Sequence, residues 1–166
     1  SKKEKLINLF SETITMIRSV QEKDYSGLVP LFKKFFPVHN QFQLPKEKII
    51  SYLKEQSKTN ELIVYDDNGI KGALYLVNFG SSSDNSHKLW KFRHFAFESE
   101  DIGSKLLKEA EKIIKQKSKT VKIELTIAET EPGKEFYLEN GYKQEAALTN
   151  HYRWNETCYV LAKSLK

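Results

Sequence analysis

The sequence predicts a mixed α/β (α+β) fold of about seven strands and four helices, and three observations carry that expectation. Val121, Ile123, Leu125 and Ile127 alternate with Lys122, Glu124 and Thr126, the period-two mark of a strand with one buried face. Just before them, Ile102, Leu106, Leu107, Ala110, Ile113 and Ile114 recur at helical spacing. Asp66-Asp67-Asn68-Gly69 separates two apolar runs, and Asn-Gly tolerates the positive φ angles of a tight antiparallel hairpin.

The other elements follow in order. Residues 1–12 are polar around Leu6, Ile7 and Phe10 and read as a short appended helix, leaving 13–166 as one domain, a size that suits a single core. Thr13–Val20 is β-branched enough for a first strand. Tyr25, Leu28, Val29, Phe32, Phe35 and Phe36 mark an amphipathic helix stopped by Pro37, and Pro45 opens a second helix through Ile49, Ile50 and Leu53. Glu61–Tyr65 and Ile70–Phe79 form the hairpin, 80–87 a Ser-rich loop, and Lys88–Phe97 an aromatic fourth strand. After the long helix and the fifth strand, Pro132–Asn140 forms a short helix closed by Gly141. Lys143–Tyr152 and Glu156–Ala162 are the last two strands. A long helix between the fourth and fifth strands makes them parallel neighbours, and they are expected to separate at the end nearer Gly103.

Composition narrows the function. Basic residues number 27 and acidic residues 22, and the excess is spread: Lys108–Lys122 also holds Glu109 and Glu111. That is a solvated face rather than a phosphate-binding stripe, so nucleic acid is not the expected partner. One cysteine, Cys158, excludes an intrachain disulfide and a multi-cysteine metal site, and its strand position suggests a buried thiol. No apolar run approaches the ~18 residues of a membrane span. Ser1–Lys5 lacks a hydrophobic signal core, so a cytoplasmic protein is expected, with homodimerisation left open. His39, His87 and His151 show no metal-ligand spacing. Neither a Gly-x-Ser-x-Gly elbow nor a Gly-x-x-x-x-Gly-Lys loop occurs.

Two segments carry chemistry. Glu131-Pro132-Gly133-Lys134-Glu135-Phe136-Tyr137-Leu138-Glu139-Asn140-Gly141-Tyr142 follows the fifth strand, and Ile102-Gly103-Ser104-Lys105-Leu106-Leu107 opens the long helix. With the order of elements, they resemble the GNAT superfamily of N-acetyltransferases over about residues 13–165. Phe136-Tyr137 and Gly141-Tyr142 match that family's segment in type and spacing. Gly133 replaces its usual Ala, Thr130 its usual Asn, Glu98 its Arg or Gln, and Asp101 its first loop glycine.

The resemblance implies a mostly antiparallel central sheet with helices on both faces. It implies acetyl-CoA (coenzyme A) as cosubstrate with no metal, and acetyl transfer to a primary amine, small-molecule or peptide, by direct attack. Phe95, Ala96 and Phe97 would hold the pantetheine arm through their backbone, with Thr130 and Phe136 nearby. Ile102, Gly103, Ser104 and Lys105 would hold the pyrophosphate, which a helix N-terminus can grip through backbone N–H groups. Tyr137 would protonate the departing thiolate, because a phenol is protonated at neutral pH. His94 or Glu129 could accept the amine's proton. The acceptor pocket would draw on 37–44 and 151–155, which carry Phe42, Tyr152 and Trp154.

Each assignment has a packing alternative. Gly103 and Ser104 also begin any helix that packs on a sheet, Phe136 and Tyr137 also suit the buried face of a short helix, and a lone strand histidine is commonly a packed one. Glu98, Glu100 and Asp101 put three carboxylates where pyrophosphate should lie, which repels an anion but stabilises a bare helix start. The alternative function is therefore a non-catalytic GNAT-like module for ligand or protein binding that has lost acetyl-CoA.

Overall fold

The structure, a computed structural model, describes residues 16–166, so the expected helix over 1–12 and the start of the first strand lie outside the described residues. Seven strands form one sheet in the order β1-β2-β3-β4-β5-β7-β6. They are β1 (Ile17–Ser19), β2 (Glu61–Asp66), β3 (Ile70–Ser81), β4 (His87–Phe97), β5 (Thr120–Ala128), β6 (Lys143–Thr149) and β7 (Thr157–Leu165). The helices are α1 (Tyr25–Phe35), α2 (Lys46–Ser57), α3 (Glu100–Lys115) and α4 (Lys134–Glu139). β4 and β5 are parallel, in register from His87↔Thr120 to Lys91↔Glu124, while β1–β2, β2–β3, β5–β7 and β6–β7 are antiparallel.

The described chain forms two compact units. One contains the residues up to Leu76 with His94–Ala110, and the other Val77–Arg93 with Glu111–Lys166. In the first, Leu28, Phe32, Ile49 and Leu53 of the two early helices are fully buried, as are Val64, Leu74, Tyr75, Leu106 and Leu107. In the second, Ile123 and Leu161 are fully buried, and Val121, Leu125, Ile127, Phe136, Tyr142 and Cys158 nearly so. The alternation read from the fifth strand is thus the alternation of its buried face.

The hairpin turn is as expected: Asn68 (φ 53°) and Gly69 (φ 129°) both take positive φ. Several boundaries differ. β3 continues through Gly80 to Ser81, into the expected loop. α1 runs through Pro30, whose missing N–H deprives only the Ser26 carbonyl, on an exposed side of the helix where water can bond it. α4 starts at Lys134 rather than Pro132, because Gly133 sits at φ 116° as its N-cap. Gly141, at φ 88°, follows α4 as the expected terminator. β6 ends at Thr149, since Asn150 (φ 53°) and Asn155 (φ 60°) turn the chain, and β7 runs three residues beyond the expected Ala162.

β4 contains a further departure. Trp90 and Phe92 are buried, then Phe95 and Ala96, so strict alternation slips at His94, whose φ is 50°. A left-handed residue inside a strand is a bulge, and it moves the following side chains to the other phase.

Candidate functional site

The first unit holds the start of α3. Glu100 and Asp101 lie in its first turn, and the Gly103 N–H donates to the Ser99 carbonyl at 2.9 Å. Ile102 N–H reaches Ser99 Oγ at 3.4 Å. Gly103 therefore spends its amide inside the helix, and the amides without an intrahelical acceptor are those of residues 100 and 101. Gly103 has a different structural reason: a Cβ there would stand 2.8 Å from Phe97 Cδ1 and 2.9 Å from Cγ and Cε1. Phe97 fills the space that the absent side chain leaves, stacked in turn against Phe35 and Phe95 at 4.9 and 5.1 Å. The acidic residues are balanced. Glu98 pairs with Lys71 at 3.5 Å and Asp101 with Lys105 at 2.9 Å, so Lys105 is already committed to a carboxylate.

His94 lies in the same unit. Its Nε2 is 2.6 Å from Tyr52 Oη, and the rings of Phe32, Phe36, His39, Phe42 and Tyr75 surround it at centroid distances of 5.1–6.3 Å. The imidazole is packed among aromatics and oriented by a phenol. Phe42, expected to line an acceptor pocket, is completely buried in this cluster.

The second unit holds Glu129, Thr130, Phe136 and Tyr137. Tyr137 is half-buried on α4, against Phe136 at 5.3 Å and Tyr142 at 5.8 Å. Burial, with a smaller push from the Glu131 charge, raises its hydroxyl well above the ordinary phenol range, so it stays protonated through neutral pH. Phe136 is buried core. Thr130 does not offer its hydroxyl outward: Oγ1 donates to Glu156 Oε2 at 2.6 Å. Glu129 Oε1 accepts the Thr157 N–H at 2.7 Å and ties the end of β5 to the start of β7. Tyr152 and Trp154, in the turn after β6, are 62% and 80% exposed.

No family model and no curated protein matches the sequence. Solved structures do. The aminoglycoside 6'-N-acetyltransferase of Enterococcus faecium shares 16% identity and a TM-score of 0.71, over 89% of this chain and 96% of that one. An aminoglycoside 6'-N-acetyltransferase complexed with coenzyme A gives 0.72 at 16% identity, over 89% and 96%. The ribosomal-protein-alanine N-acetyltransferase of Brucella melitensis gives 0.69 at 13%, over 90% and 99%. The chain has the GNAT fold.

Within this GNAT fold, the predicted residues divide into two groups. His94, Phe95, Ala96, Phe97, Ile102, Gly103, Ser104 and Lys105 belong to the first unit, and Glu129, Thr130, Phe136 and Tyr137 to the second. The sequence reading missed Glu156, which is 7% exposed, and Glu131, which is half-buried. Burial raises the Glu131 carboxyl above the usual carboxylate range, Arg153 opposing the shift and Glu156 adding to it. A signal for Glu156 existed: Cys158 was expected to be buried, and period-two alternation puts residue 156 on the same face.

Proposed function

We infer that the protein transfers an acetyl group from acetyl-CoA to a primary amine, directly and without a covalent enzyme intermediate. The observation that carries this reading is Tyr137, a phenol kept protonated by burial, at the head of a short helix after β5 in a fold shared with acetyltransferases. Acetyl-CoA supplies an activated thioester. The amine nitrogen attacks its carbonyl, the C–S bond breaks, and the Tyr137 hydroxyl gives its proton to the leaving sulfur. The phenolate so formed recovers a proton from solvent or from the amine. His94, oriented by Tyr52, and Glu129 are the candidate bases of this reading. For the pyrophosphate, the fitting groups are the amides of residues 100 and 101, with Lys71 and Lys105 once their carboxylate partners give way. Phe95–Phe97 would bind the pantetheine arm through backbone groups.

The test is coenzyme A thiol release from acetyl-CoA across a panel of primary amines, with wild type and Tyr137→Phe. Turnover should fall by about 10²–10⁴ in the variant with coenzyme A affinity unchanged. Equal turnover, with chemistry limiting, removes Tyr137 from the mechanism.

A second reading, a GNAT-fold binding module without transferase activity, is favoured by one observation: Glu98, Glu100 and Asp101 crowd the start of α3, and Gly103 is occupied by Phe97. Failure to bind coenzyme A would select it.

A further inference from the structure

The end of β5, the start of β7 and the turn before it gather charge in the second unit. Glu156 is 7% exposed. Its Oε2 accepts two hydrogen bonds, from Thr130 Oγ1 at 2.6 Å and from Arg153 Nη1 at 2.9 Å. Its Oε1 is equally buried and has no partner. A carboxylate oxygen sealed from water without a donor is costly, and natural folds keep few of them. Nothing in the packing of β7 requires it, since an apolar residue on the face of Cys158 would fit the core more cheaply.

The surroundings tell what Oε1 is shaped to receive. Glu131 stands close enough that the Glu156 charge raises its carboxyl, and the Glu131 charge in turn reaches Tyr137 and Cys158. Two carboxylates therefore face one guanidinium, and Glu129 adds a third carboxylate at the Thr157 amide. Lys134 does not balance them, because its Nζ lies 3.8 Å over the Tyr159 ring. Arg153 has a side chain 49% exposed, so it reaches in from solvent and covers one oxygen only. The site calls for a cation that donates hydrogen bonds. Among the described residues, no group of three or more His, Cys, Asp or Glu could hold a metal ion.

Building on the transferase reading, we propose that Glu156 Oε1, with Glu131 beside it, binds the ammonium head of the acceptor, so that acceptors arrive as alkylammonium ions next to Tyr137. Three N–H donors on one nitrogen can satisfy Oε1 and Glu131 together, which a quaternary ammonium or an alcohol cannot do.

The experiment needs no acetyl-CoA. The full chain, ¹⁵N-labelled, is titrated with n-butylammonium chloride, and separately with n-butanol, butyltrimethylammonium chloride and magnesium chloride. Saturable shifts at the amides of Glu131, Glu156 and Thr157 should appear with butylammonium alone. Glu156→Gln, nearly isosteric, should weaken that binding at least about tenfold, the size of one charge-assisted hydrogen bond. Glu131→Gln should weaken it less, and it decides the matter if Glu156→Gln does not fold. The proposal is overturned by shifts of equal size with butyltrimethylammonium or magnesium, by none with butylammonium, or by full affinity in the folded variants. Ammonium binding in a protein that ignores coenzyme A would refute the transferase reading and keep this subsite. Coenzyme A binding without ammonium binding would do the reverse.

Discussion

Gly103 and Phe97 show how one residue can satisfy a functional motif and a packing demand at once. A methyl at Gly103 would overlap the Phe97 ring at under 3 Å, and a phenyl ring held between Phe35 and Phe95 has little room to yield. Alanine in a helix interior gains about 1 kcal/mol over glycine, while overpacking costs about 1–3 kcal/mol. Gly103→Ala should therefore destabilise the wild type by about 1 kcal/mol yet stabilise a Phe97→Ala background. Urea denaturation of the four proteins of that cycle checks it, and the same sign in both backgrounds would refute the clash. At this scale the sequence was informative where type alone implied chemistry, as at Tyr137. It was silent on burial of a charged side chain: Glu156 looks like any strand-end glutamate until its face is counted from Cys158.

Among the elements, β1 is short, and a charge cluster fastens it. Arg18 donates to Asp24 Oδ2 at 2.6 Å and Oδ1 at 3.0 Å, and to Asp66 Oδ2 at 2.7 Å. The Gln21 N–H adds a bond to buried Asp24 at 2.7 Å. Arg18 holds both carboxyls below their usual range, the Gln21 and Gly69 amides helping at Asp24 and Asp66. A depressed folded pKa gives stability that is present above the unfolded value, near pH 3.9, and lost as pH falls through the folded one. Removing one partner of a buried pair is costly, so Arg18→Met should lose about 3 kcal/mol at neutral pH. The gap between variant and wild type should narrow in acid, when the pair is broken in both. Urea titrations across pH test this, and a gap independent of pH would contradict it. Elements were legible where one period dominated, as in β5 and α3. Their ends were not, because asparagine in the left-handed region at 150 and 155 is settled by turn geometry that composition does not encode.

The whole molecule was legible through order: four helices and seven strands, with one long crossover forcing a parallel pair, leave few ways to build the sheet, and β4–β5 is that pair. The division into two units was not, because its boundaries fall inside β3, β4 and α3, where no linker marks them. Nor could sequence show that Glu98 and Asp101 pair with Lys71 and Lys105, since the first of those pairs joins residues 27 positions apart. Those pairs reconcile an acidic helix start with an anionic cosubstrate, and they point to the decisive measurement: calorimetric titration with coenzyme A of the wild type and of Glu98→Arg/Asp101→Gly, at low and high salt. The account predicts saturable binding of one coenzyme A per wild-type chain, tightened at least about tenfold in the variant. The gain should shrink at high salt, because these charges are exposed. Absence of binding in both proteins would contradict it.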